Sequence, residues 1–267
     1  MRAITYIPTG LQISHSGRKG SAYIPWIKKN ASLNKKNGWN TFAPSSIRRC
    51  KDWPVPIELK KEKINKIIND FKNTARKAKR IGFDALELHM AHGYLLHQFL
   101  SPISNHRKDE FGGNLKNRCK IPLIIAKEIR KIWPKNKILG ARITGLDHLK
   151  NGIKIKDAVY LSKKLKAIGF DYICVSSGGI IPITNLKFKK GFRVPLSKII
   201  KKKSSMITRT SGLITDLNQA NKLIKNGSAD LIAMARELVR NPTWIHKAAL
   251  KMKKTKGYIP NQYIRCF

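Results

Sequence analysis

The sequence predicts an α/β fold on a parallel sheet, because short apolar runs alternate with amphipathic helical patterns and one kind of join keeps recurring. "KRIGFDALELHM", "KAIGFDYICVSS" and "KNGSADLIAMAR" each end a helical pattern at a glycine, pass an aspartate, and enter an apolar run short enough for a buried strand. Gly82, Gly169 and Gly227 fit the left-handed position that closes a helix, where a side chain would clash. Ahead of the first two joins, Ile64, Ile67, Ile68, Phe71, Ala75 and Ala78, then Ala158, Leu161, Leu165 and Ile168, repeat at helical spacing. Three further runs, "GLQISH", "KILGARIT" and "SSMITR", bring the strand count to six. Near-continuous apolar strands between helices imply a parallel sheet covered by helices.

Two architectures satisfy that pattern, a barrel and an open doubly wound sheet. The fingerprint G-x-G-x-x-G is absent from all six strand ends, which argues against a dinucleotide site of the open kind. Polar residues instead follow several different strands: His89 and His92, Arg142, Ser176 and Ser177, Arg236. A (β/α)8 barrel draws its active site from the carboxyl ends of many strands in this way. The segment from Gly20 to Pro56, rich in Asn, Lys, Ser and Trp, reads as an excursion from the barrel face. No linker divides the chain, so residues 1–267 are expected to form a single domain.

With 267 residues, 42% of them apolar, the chain can bury a sizeable core. Cys50, Cys119, Cys174 and Cys266 are far apart and form no C-x-x-C pair, the usage of reduced thiols. No apolar run reaches the roughly 18 to 20 residues of a membrane span, and "MRAITYIPTGLQ" lacks an apolar signal core. A soluble cytoplasmic protein is expected. The 55 Lys+Arg against 15 Asp+Glu give a net charge of +40, enough to attract nucleic acid or anionic membrane without a specific site. The lysines are scattered over the polar faces of many helices beside abundant Asn and Ile, the pattern of a compositional drift such as an AT-rich coding sequence produces. A nucleic-acid binder would instead group "IIKKKSS", "NLKFKKGF" and "KMKKTKG" on one face, with aromatics to stack bases.

The stretch "LELHMAHGYLLHQFLSPISNHRKDEFGGNLKNR" holds His89, His92 and His97. A zinc site needs three or four ligands with a supporting shell, and neither H-E-x-x-H nor a cysteine pair is present, so no metal is expected. His97, in the apolar run "LLHQFL", reads as a satisfied core histidine. His89 and His92 sit at a strand end, where either a structural or a substrate-holding role is open.

The same stretch resembles the signature of the Old Yellow Enzyme family of FMN-dependent ene-reductases, in its bacterial branch with two active-site histidines. The likeness continues in "GLQISHSGRKG", "GARIT", "GLITDLNQANKLIKNGSADLIAMARELVRNPTW" and "NQYIRCF", in the right order over nearly the whole chain. The resemblance implies a TIM barrel, FMN as cofactor, and NADPH or NADH as hydride donor to an electron-poor alkene. Gln12 would bond the polar edge of the flavin ring, and Arg142 would place a fixed cation near its N1 and O2 atoms. Backbone N–H groups at Gly212, Ala235 and Arg236 would hold the phosphate, with Arg236 adding charge. His89 and His92 would donate hydrogen bonds to the substrate oxygen, which excludes their ligating a metal, and Tyr94 would supply the proton at the α-carbon. Arg265 would reach into a neighbouring subunit's site, which implies a homo-oligomer. Asp109, Gly112, Gly113 and Arg118 would shape the loop after the strand.

The resemblance is incomplete at the amino end. The family's first two strands are missing, Met1 stands a few residues before the third, and about six βα units are expected. A separate chain supplying those strands, a fragment of a longer chain, and an inactive remnant each account for this. Loss of two adjacent strands exposes two sheet edges.

Overall fold

The six runs pair into one parallel sheet, in the order β1 (Gly10–Ile13), β4 (Ala85–Met90), β5 (Ile138–Thr144), β6 (Tyr172–Ser176), β7 (Ile207–Thr210) and β8 (Leu231–Ile232). The structure is a computed structural model that describes residues 8–34, 36–182, 188–253 and Arg265. After β1 comes an irregular excursion, with a 3-10 turn at Gly17–Lys19 and a short parallel pair, β2 (Phe42–Ala43) and β3 (Ile57–Glu58). The helices are α1 (Lys61–Ile81), α2 (Leu95–Leu100), α3 (Leu115–Arg118), α4 (Lys120–Ile132), α5 (Ile155–Ile168), α6 (Val194–Ser204), α7 (Leu217–Lys225), α8 (Arg236–Arg240) and α9 (Trp244–Lys251). Each of β1 and β8 has one partner among the described strands.

The recurring join has a physical basis. Gly82, Gly169 and Gly227 have φ of 92°, 94° and 69°, the left-handed turn expected of them. The aspartate two or three residues later then accepts the backbone N–H at or just ahead of the neighbouring strand. Asp84 bonds Thr9 N at 2.8 Å, Asp171 bonds Leu139 N at 2.7 Å, and Asp230 bonds Thr208 N at 2.9 Å. One motif therefore ends the helix and also pins the strand register.

Side chains alternate across each strand. Leu86, Leu88 and Met90, Leu139, Ala141 and Ile143, and Ile173 and Val175 join the helices' Ile64, Ile67, Phe71, Ile125, Ile129 and Leu165 in the apolar core. Burying each such side chain contributes roughly 1.5–3 kcal/mol. The other parity, Gln12, Glu87, His89, Arg142, Tyr172, Cys174, Ser176 and Arg209, lies on the opposite face, which is polar. There the Glu87 carboxylate accepts from Gln12 Nε2 at 2.5 Å, from the Tyr172 hydroxyl at 2.7 Å and from Arg209. Gly140 makes room for Tyr172, because a Cβ there would lie 2.2 Å from its ring.

The loop after β4 has the structural role expected of it. Asp109 bonds the Arg107 guanidinium and the Phe111 amide, Arg118 Nε donates to Leu100 O at 2.8 Å, and a Cβ on Gly112 would lie 2.2 Å from Arg107 O. No helix among the described residues is long and apolar enough to cross a membrane. "NLKFKKGF" and "KMKKTKG" run beyond the described residues, so the one-face arrangement that nucleic-acid binding requires falls partly outside them.

Candidate active site

The site forms where the loops after β4 and β6 meet. His92 has φ +57° and Gly93 φ +72°, a sharp reversal that turns the chain back over the strand end. A Cβ on Gly93 would lie 2.1 Å from Gly179 O, and one on Gly179 would lie 2.8 Å from His92 Cα. Only glycines let these two backbones touch, and their contact brings His92 beside Ser176.

His97 supports the same turn from below. It is fully buried, its Nδ1 accepts the Gly93 N–H at 2.7 Å, and its Nε2 lies 2.9 Å from Asp147 Oδ1. That last contact is close but falls short of good hydrogen-bond geometry. The structural role expected of His97 holds.

The tautomers of the histidine pair follow from their partners. Ala91 N–H donates to His89 Nδ1 at 3.1 Å, which leaves the proton on Nε2, facing His92 Nδ1 at 3.2 Å. His92 Nε2–H then donates to Ser176 Oγ at 2.5 Å. Burial pushes His89 down to about 4, with Arg142, His97 and Lys19 adding repulsion. Burial and the charges of Arg142, His89, Arg193 and His97 push His92 down to about 2. Both rings are neutral at pH 7 and act as hydrogen-bond donors. Tyr94 lies edge-on to His89, ring centroids 5.0 Å apart, and so belongs to the same cluster.

Arg142 pairs with His89 in the strand register and points to the same polar face. Its Nε is buried without a hydrogen-bond partner, while Glu87 on that face is taken by Arg209. A buried N–H without an acceptor is costly unless a ligand completes it. Gln12 is exposed, and its Nε2 is engaged by Glu87; contact with a flavin edge requires that bond to be shared or exchanged.

Gly212, buried after β7, has φ +120°, and a Cβ there would come 3.0 Å from the Phe192 ring. Ala235 is the cap of α8 and Arg236 its first residue, and both are exposed. Between these strand ends stands Arg193, which sequence reasoning missed. It donates long bonds to Ser177 Oγ at 3.4 Å and Ser211 Oγ at 3.3 Å. Burial lowers it to about 10, and the charges of Arg142 and Arg236 add to the shift. Arg265 is exposed, and its neighbours on both sides lie outside the described residues, as does its expected reach into another subunit.

The chemistry of this donor set suits the phosphate and anionic ring edge of FMN. Arg142, with its Nε buried and unbonded, a weakly bonded Arg193, Arg236 and the left-handed turn at Gly212 place cations and backbone donors on the carboxyl side of β5 to β8. Lys19 is a second residue that sequence reasoning passed over: its Nζ donates to His92 O at 2.8 Å. Lys19 falls inside the motif "GLQISHSGRKG" but was given no role there, and no local pattern marks Arg193.

The fold is of the TIM-barrel class, and the family match makes this a flavin-dependent oxidoreductase. The chain matches the model of the NADH:flavin oxidoreductase / NADH oxidase family over residues 9–255, and it belongs to that family. It is 37% identical to an NADPH dehydrogenase of Geobacillus sp. (strain WCH70), over 92% of this chain and 67% of the relative. It is 38% identical to an NADPH dehydrogenase of Listeria welshimeri, over 97% of this chain and 71% of the relative. Among solved structures, a 2-naphthoyl-CoA reductase bound to 2-naphthoyl-CoA superposes with a TM-score of 0.79 at 23% identity, covering 92% of this chain and 38% of that one. Morphinone reductase in complex with tetrahydroNAD gives 0.71 at 22% identity, covering 91% of this chain and 66% of that one. These two likenesses concern the fold. The family uses FMN with a nicotinamide donor.

Proposed function

We propose that this chain reduces electron-poor alkenes, enones and nitroalkenes, at the expense of NAD(P)H. The observation that carries this reading is the pair of neutral imidazole donors, His89 and His92, with Tyr94 against them and Arg142 alongside. A substrate oxygen replaces His92 Nδ1 as the acceptor of the His89 proton and shares the His92 donor with Ser176. Both bonds strengthen as negative charge develops on that oxygen, so they favour the transition state over the bound alkene. Tyr94 supplies the proton at the α-carbon.

FMN, when bound, supplies hydride from NAD(P)H to the β-carbon. Gln12 and Arg142 would hold the polar edge of its ring, and Gly212, Ala235, Arg193 and Arg236 would hold its phosphate. The similarity to NADPH dehydrogenases supports the nicotinamide donor. The substrate class rests on the donor pair, and Arg265 is the candidate for a contribution from a second copy.

The test is NADPH consumption by FMN-supplied protein with and without 2-cyclohexenone in the absence of oxygen. Enone-dependent consumption with saturated ketone as product is expected, and consumption unaffected by enone would contradict the reading.

A further inference from the structure

Lys19 stands out because it is a half-buried ammonium facing only cations and neutral rings. It lies at the end of the 3-10 turn Gly17–Lys19, beside Arg18. Its Nζ donates to the His92 carbonyl at 2.8 Å and sits 4.7 Å from the centre of the Tyr94 ring. Arg49, from the excursion before β3, is a second buried cation within electrostatic reach of Tyr94. The groups that face Lys19 are therefore Arg18, Arg49, His89, His92 and Tyr94, and among the described residues no carboxylate is bonded to it. Burial, then Arg49 and Arg18, push the Lys19 ammonium down to about 8.

A cation kept where it repels its neighbours is explained by a negative charge that appears there only during turnover. On the reading of the site given above, one such charge forms on Tyr94. When Tyr94 protonates the α-carbon, its O–H bond breaks, a C–H bond forms, and the electron pair stays on the phenol oxygen. Hydride from NAD(P)H has gone to the β-carbon, so the alkene is reduced, the nicotinamide is oxidised, and water later returns the proton to Tyr94.

We propose that Lys19 is a positioning residue for this proton delivery: its ammonium holds the His92 carbonyl and stabilises the phenolate left on Tyr94. The proposal rests on the ene-reductase reading, and it adds that the protonation step requires the Lys19 charge. Interaction of an ammonium with an aromatic ring in a desolvated site is worth on the order of a tenfold change in rate.

The experiment follows reoxidation of the NADPH-reduced, FMN-loaded protein by 2-cyclohexenone under anaerobic stopped flow across pH. Each rate is divided by the rate of reoxidation by ferricyanide, which takes electrons and needs no carbon protonation. In the wild-type protein the ratio falls as pH rises through about 8, as Lys19 loses its charge. Lys19→Arg keeps the cation and removes that fall, because a guanidinium stays protonated. Lys19→Gln keeps an N–H for the His92 carbonyl without the charge, so its ratio is about tenfold lower at neutral pH and flat across that range.

If Lys19→Gln matches the wild-type protein in ratio and pH dependence, or Lys19→Arg shows the same fall near 8, the proposal is overturned while the ene-reductase reading stands. If the enone fails to reoxidise even the wild-type protein, the reading falls and takes the proposal with it.

Discussion

Replacing Asp147 tests whether the buried support beneath the histidine turn holds the site together. Asp147 is fully buried. Its Oδ2 accepts from Ser101 Oγ at 2.7 Å and from the Ile153 amide at 2.8 Å, and its Oδ1 faces His97 Nε2 at 2.9 Å. Asp147→Ala orphans all three partners and leaves a cavity, at a cost of about 3–5 kcal/mol. A domain holds only about 5–15 kcal/mol in total, and with an m-value of roughly 2 kcal/mol/M the urea midpoint should drop by about 1.5–2.5 M.

Asp147→Asn is the finer probe. Its oxygen can still serve Ser101 and Ile153, but its amide then meets the His97 Nε2–H, donor against donor. His97 cannot escape by changing tautomer, because its Nδ1 is already needed by the Gly93 N–H. An intermediate loss of about 1–3 kcal/mol is expected. Burial alone would raise the Asp147 carboxyl, yet the facing His97 and the bonds from Ile153 and Ser101 hold it below its ordinary 3.8. A value lowered on folding means that the stabilisation is present above 3.8 and is lost as pH falls below it. The assay is urea unfolding at neutral and acid pH. An Asp147→Asn protein as stable as the wild type would refute the reasoning.

Other substitutions address the donors and the barrel face. His92→Ala should slow the enone step on the order of 10²-fold while NADPH still reduces the flavin, as separate half-reaction kinetics would show. Gly93→Ala, forced against Gly179 O, should displace His92 and weaken enone binding, measured as a raised KM. Arg209→Met strips the Glu87 carboxylate of its cation and should lower stability by about 2 kcal/mol in urea, whereas Arg209→Met with Glu87→Gln should recover part of it. His89 and His92, lowered from 6.5 on folding, favour the folded state fully above 6.5 and progressively less as pH falls toward 4, so the urea midpoint should decline between those values. His92→Ala should show a shallower decline.

Much of this was legible because it is written locally. The glycine-to-aspartate joins fixed helix ends and strand starts together, and the period-2 alternation in "LELHM" already separates His89 and Glu87 from the leucines. His89, His92 and Tyr94 stood in one continuous motif, and the structure brings them together. Arg142 was marked by its place at a strand end and by the motif "GARIT", and its Nε is buried without a partner. What stayed hidden is long-range. Glu87 and Arg209 are 122 residues apart on strands that are not neighbours, so nothing near either announces the pair. That pair also draws Gln12 into its network. Lys19 and Arg193 became visible only when separate loops converged on one mouth, since each is one more basic residue among 55.

The most direct measurement is the absorbance spectrum of the purified chain after FMN is added and the excess is filtered away. The account predicts a retained band at about 450 nm that NADPH bleaches and an enone restores without oxygen. A filtrate that carries away all the FMN, leaving a folded but colourless protein, would contradict it.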